Sequence, residues 1–162
     1  MASRSRIHRR VQRFLPPQLQ TSGMERFGLD PGQFWQLAWS ALPLRAPSCG
    51  AVVLRLSEQT ARDIRQRRLG FFEHARTARE APPPRAVRYH AWQPSPLPVT
   101  WRDGIYDNGL RGGLPCIDAD AALRRKLSGA HGHGAYYAVQ EGGGGMLVAI
   151  PDHHLLVYSW RD

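Results

Sequence analysis

The residues of this chain that could do chemistry are gathered late in the sequence. Tyr89-His90-Ala91-Trp92 is followed by Trp101-Arg102-Asp103-Gly104-Ile105-Tyr106-Asp107-Asn108-Gly109-Leu110, and then by Gly132-His133-Gly134-Ala135-Tyr136-Tyr137-Ala138. His131 and His133 lie two apart, His153 and His154 are adjacent, and Cys116 is a further soft ligand. Zinc takes such ligands, but these pairs lack the tight spacing of zinc ribbons or fingers, so no metal is assigned. Ser128 with a histidine would make a hydrolase pair, yet no nucleophile elbow surrounds it. Taken singly, His90 reads as a structural histidine on a strand, Gly104 to Leu110 as a capped helix, and Gly-x-Gly-x-Tyr as a tight turn into a strand. Their order and spacing say more than any one of them.

The elements that must position these residues follow from the hydrophobic pattern. Asp30 to Leu42 predicts a helix, with Asp30 as N-cap, Pro31 in the first turn and Phe34, Leu37, Ala38, Ala41 and Leu42 on one face. Ala51 to Leu56 predicts a strand. Ser57 then caps a helix from Glu58 to about Arg68, with Ile64 inward. Gly70 interrupts it, and Phe71, Phe72 and Ala75 continue the helical spacing towards Ala81. Pro82-Pro83-Pro84 excludes helix and reads as a spacer. Arg85 to Trp92 alternates as a strand, with Val87 and Tyr89 facing one way and Arg88 and His90 the other. Pro94, Pro96 and Pro98 predict a loop. Asp103 to Leu110 and Asp118 to Leu127 predict helices, and Ala135 to Gln140 a strand. Gly142 to Gly145 forms a joint before a final antiparallel pair, Met146 to Ile150 and His154 to Trp160, turning at Pro151-Asp152.

The chain has 162 residues, enough for one domain with a real core. It divides into residues 1–20, a region 21–81, the spacer 82–84 and a region 85–162. Its net charge of +9, from 22 Lys and Arg against 13 Asp and Glu, favours polyanionic partners. Two distant cysteines make no disulfide framework, and no apolar run reaches the length of a membrane span. An intracellular protein is expected, with its compartment and oligomeric state open. Residues 1–20 carry Arg4, Arg6, Arg9, Arg10 and Arg13, and no acidic residue precedes Glu25. Ile7, Val11 and Phe14 recur at helical spacing. Such a segment suits a solvated tail, an organelle transit peptide or a basic arm lying on phosphates, and it is expected to stand outside the core.

In their order, the late motifs resemble the core of an ADP-ribosyltransferase domain of the poly-ADP-ribose-polymerase and diphtheria-toxin type. That family has a His at a strand end, a segment near W-x-x-G-I-x-x-x-G-L, and a G-x-G-x-Y-F-A strand. The resemblance implies an α+β fold with a split antiparallel β-sheet, flanking helices and NAD⁺ as cofactor in the cleft. It implies that His90 donates to a ribose hydroxyl and that the backbone of Ala91, where the family has Gly, holds the nicotinamide amide. Tyr136 would stack on the nicotinamide, Gly134 would keep the approach open, and Tyr137 would pack inward. The catalytic triad it implies is His90, Tyr136 and a third residue, where the family's Glu is replaced by His154 in His154-Leu155-Leu156-Val157-Tyr158.

An imidazole cannot supply the carboxylate that stabilises an oxocarbenium ion. The resemblance therefore implies mono-ADP-ribosyl transfer, or NAD⁺ binding without elongation, to a protein or nucleic-acid acceptor. Glu141 is the nearest carboxylate that could substitute. Two alternatives stand beside this reading. One is an RNA 2′-phosphotransferase-like enzyme of the same fold. The other is a non-enzymatic basic module that binds nucleic acid through the Arg-rich N-terminal half.

Overall fold

Continuous runs of apolar residues build the centre of this protein. In a computed structural model, residues 4–29, 49–79, 87–97, 132–142 and 145–161 are described, together with Ala122, Arg125, Lys126 and Gly129. The strands are β1 (Thr21–Leu29), β2 (Cys49–Leu56), β3 (Gln93–Pro94), β4 (Tyr136–Val139), β5 (Gly145–Ile150) and β6 (Leu155–Arg161). All neighbours pair antiparallel, in the order β1-β2-β6-β5-β4-β3. With helices α1 (Arg4–Gln12) and α2 (Glu58–Arg67), this makes an α+β fold. The described strands join in one sheet, not in the two halves of a split sheet. Regions 21–81 and 85–162 share it, because β2 pairs with β6 from Cys49–Arg161 to Arg55–Leu155.

The period of two sorts side chains into two layers. Val52, Leu54 and Leu56 of β2, Leu147 and Ala149 of β5, and Leu156 and Tyr158 of β6 enter one cluster with Val11, Leu15, Leu19, Ile64 and Phe72. Ala51, Val53, Met146, Val148, Ile150, Leu155 and Val157 form a second cluster with Leu97 and Ala135. Both sides of the central strands are therefore apolar, which is why β2, β5 and β6 read as continuous hydrophobic runs.

Ser57 caps α2 as its sequence predicts: its Oγ accepts the Thr60 amide at 3.2 Å. The helix stops at Arg67, and Arg68 takes a positive φ of 52°, so the break expected at Gly70 falls two residues sooner. The helical spacing beyond Phe72 does not become a helix either. The chain turns, and Thr77 pairs with Arg88. Pro94, expected in a loop, ends β3 at the outermost edge of the sheet, where a missing N–H costs no ladder bond. The positions expected to form the helix Asp30 to Leu42, the spacer 82–84 and the helix Asp103 to Leu110 lie outside the described residues. Ala122, Arg125 and Lys126, within the expected helix Asp118 to Leu127, are helical.

The N-terminal segment departs most from expectation. It does not stand outside the core: Leu15 and Leu19 are fully buried, and Val11 nearly so. Pro16-Pro17 turns the chain so that these side chains continue the apolar side of α1 into the first cluster. Arg79 locks that turn, donating from Nη1 to the Gln12 carbonyl at 3.2 Å and from Nη2 to the carbonyls of Pro17 at 3.3 Å and Leu19 at 2.9 Å. A cation at the carboxyl end of a helix also complements its dipole. Sequence spacing shows the apolar stripe, but not a clamp from a residue so distant.

Candidate functional site

His90 owes its position to a backbone irregularity. Residues 87–90 lie between two extended segments. On one side Ala78 N–H bonds to the Val87 carbonyl and Tyr89 N–H to the Arg76 carbonyl. On the other, His90 N–H bonds to the Val139 carbonyl and Glu141 N–H to the Arg88 carbonyl. Tyr89 stands opposite Gln140, whereas Gln93 stands opposite Tyr137. Four steps along one strand thus match three along the other, which is a β-bulge spanning His90 to Trp92.

The bulge decides which side chains face inward. Tyr89 and Trp92 both enter the first cluster although they are three residues apart, while His90 and Ala91 are both exposed. Trp92 stacks on Phe72 with ring centroids 4.2 Å apart, and its Nε1 donates to the Ala75 carbonyl at 2.7 Å. The Tyr89 hydroxyl donates to the Phe14 carbonyl. These anchors place the displaced pair over a cavity of about 550 Å³ lined by Arg76, His90, Ala91, Gln93, Tyr137, Val139 and Gln140.

The polar groups of this cavity come from separate stretches of chain. Arg76 Nε donates to the Tyr89 carbonyl at 3.0 Å, and its Nη2 lies 3.8 Å from Glu141 Oε1. Gln140 Oε1 accepts from the Tyr158 hydroxyl at 3.2 Å. Burial pushes the Tyr158 phenol up to about 12, so it remains a neutral donor. Gly145 lies against the Gln140 amide, and any side chain there would also meet the Tyr158 ring at 3.2 Å. The site therefore offers a guanidinium, an imidazole and a phenol ring, with the Glu141 carboxylate beside the guanidinium.

The residues singled out in the sequence are distributed as follows. His90, Ala91 and Tyr137 share the cavity. Tyr136 is not among its lining residues: it faces the other layer, its ring centroid 5.2 Å from that of Phe72. Gly134, at a φ of 75°, forms the turn into β4, beside Asp152. His154 lies in the turn between β5 and β6, with φ of 54°, where its carbonyl accepts the Leu56 amide at 2.8 Å. That is the end of the sheet where Tyr136 enters β4, about 10 Å along the strand from the Val139 end beside His90. His90, Tyr136 and His154 thus do not converge on this cavity. For Tyr136 the reason is the period of two, which sends Tyr136 and Tyr137 to opposite faces, and for His154 it is the turn at the far end of the sheet.

Nothing in the sequence marks Arg76, because only the pairing of 76–78 with 87–89 brings it beside His90. Among the described residues no group of three or more His, Cys, Asp or Glu could hold a metal ion, and Cys116 and His131 lie outside them. Among the described residues, too, no helix is long and apolar enough to cross a membrane. Compared with protein-family models, with curated proteins and with solved structures, the chain matches none.

Proposed function

We propose that this chain is an NAD⁺-binding domain of ADP-ribosyltransferase type, with mono-ADP-ribosyl transfer or NAD⁺ hydrolysis at the cavity beside His90. The observation that supports it most is the bulge, which turns His90 and the small Ala91 together into a cavity walled by Tyr137. In this reading Tyr137, rather than Tyr136, stacks on the nicotinamide. His90 donates to a ribose hydroxyl, and Arg76 meets the pyrophosphate. The bond between ribose C1′ and nicotinamide breaks, its electron pair neutralising the pyridinium. An acceptor oxygen or nitrogen then attacks C1′ and gives up its proton. Glu141, beside Arg76, is the carboxylate available to stabilise the developing positive charge. With no carboxylate at position 154, elongation of a polymer is not part of this reading.

A variant of the same fold type, transfer of a 2′-phosphate from RNA to NAD⁺, draws support from Arg76. It needs an arginine and a histidine on one phosphate, and Arg76 and His90 line one cavity.

The test is the melting temperature with NAD⁺. A ligand that binds only the native state raises it, by about 2.7 kcal/mol of stability at a hundredfold excess over Kd. His90→Ala and Tyr137→Ala should abolish the rise while the free proteins stay folded. Glu141→Gln should keep the rise but slow nicotinamide release by about 100-fold. No rise at millimolar NAD⁺ would sink the reading. Loss of the 2′-phosphate from a 2′-phosphorylated RNA only when NAD⁺ is present, with nicotinamide released and the phosphate recovered on ADP-ribose, would select the second variant over the first.

A further inference from the structure

The solvent side of α1 has a character the cavity does not explain. Arg6, Arg9 and Arg10 are all exposed, and exposed Arg13 continues the stripe at helical spacing. No acidic residue stands in the first turn of α1, and the first in the chain is Glu25. Like charges on one side of a short helix repel and weaken it unless something else holds the helix. Here Val11, Leu15 and Leu19 anchor it in the core, and Arg79 clamps the turn that follows. The arginines are thus displayed on a fixed scaffold despite the electrostatic cost of crowding them.

We propose that this side of α1 docks on the phosphate backbone of duplex nucleic acid. Four residues of helix rise about 6 Å, so successive guanidinium groups along the stripe can meet neighbouring phosphates of one strand. Guanidinium forks suit phosphate oxygens, and all the cations of α1 are Arg rather than Lys. The chain's net charge of +9 favours the same class of partner. An acidic membrane fits less well. A helix lying on lipid inserts its apolar side, whereas Ile7 and Val11 of α1 are packed against the protein's own core. α2 packs through Ala61 and Ile64 into the same cluster and likewise exposes Arg62 and Arg65. The surface is separate from the cavity and does not rest on the NAD⁺ reading.

Salt dependence of binding tests it, with the full chain and a short duplex of mixed sequence, in one DNA arm and one RNA arm. Binding should weaken steeply as salt rises, with a log–log slope of roughly 0.9 per phosphate contacted on DNA. The variant Arg6→Gln/Arg9→Gln/Arg10→Gln should reduce that slope by about 2 to 3. If it melts well below the parent, the three single variants serve instead, each expected to reduce the slope by about 1. Binding of one duplex alone names the source of the phosphates, and binding of both leaves the proposal standing. It is overturned if neither duplex binds, if the slope is unchanged in folded variants, or if only vesicles of anionic phospholipid bind.

Discussion

Tyr89 donates its hydroxyl to the carbonyl of Phe14 at 2.6 Å, joining the strand that carries His90 to the turn that follows α1. The phenol is buried, and its pKa is pushed well above the usual range by that burial and then by the charge of Tyr158. Tyr89→Phe leaves the Phe14 carbonyl without this donor and should cost about 1 to 3 kcal/mol. Deleting residues 1–20 should cost far more, because Leu15 and Leu19 leave a core in which each side chain is worth about 1.5 to 3 kcal/mol. Melting temperatures of both variants decide it. A deletion that melts with the parent would show the segment to be dispensable.

Alkali should loosen the fold through Tyr158. Its pKa is raised by burial to about 12, from the ordinary 10 of an unfolded chain. The native state then holds a proton that the unfolded state releases. The stabilisation is complete below pH 10 and is lost as pH rises from 10 through about 12, a loss of about 2 to 3 kcal/mol. Denaturant midpoints across that window should fall for the parent and fall less for Tyr158→Phe. Equal slopes in the two proteins would remove Tyr158 as the cause.

Acid should act through His8. Its Nε2 lies 2.8 Å from Thr21 Oγ1, bridging α1 to β1. Burial first, and then the charge of Arg79, lower its pKa below the ordinary 6.5. The unfolded chain protonates before the native one, so stability present above pH 6.5 is lost as pH falls through the lower folded value. His8→Gln should flatten the melting temperature between neutrality and mild acid. A profile identical to the parent's would assign the acid response elsewhere.

The adjacent tyrosines of β4 should separate by readout. Tyr136→Ala removes a ring packed on Phe72 and should lower stability by about 2 to 4 kcal/mol. Tyr137→Ala, on the cavity side, should cost less stability but remove the NAD⁺-induced rise in melting temperature. His154→Glu should leave nicotinamide release unchanged, since residue 154 sits in a turn at the other end of β4. Restored turnover in His154→Glu would move the reacting centre to that turn.

Legibility in the sequence followed the strength of local signals. α2 was legible because Ser57 caps it, and β5 and β6 because branched apolar runs flank Pro151-Asp152. β1 was not, because Gly23, Glu25 and Arg26 interrupt alternation and its pairing with β2 slips register twice, between Thr21 and Gly23 and between Met24 and Arg26. His90 and Ala91 were legible as motif residues, but the bulge that aims them depends on pairing with β4. Arg76 carries no local signal at all. Choosing between Tyr136 and Tyr137 required the register of β4, which motif order does not supply.

The sheet order has a consequence for synthesis. β6, the last described strand in the chain, lies between β2 and β5, so among the described strands it is the one that joins the β1-β2 pair to the β5-β4-β3 ladder. As the chain leaves the ribosome, β2 can pair with β1 yet keeps its other edge bare until Leu155–Arg161 emerges. Until then, two sheet fragments with open edges must avoid other partners, and premature termination before Leu155 would release one chain carrying both unpaired edges, an aggregation-prone product.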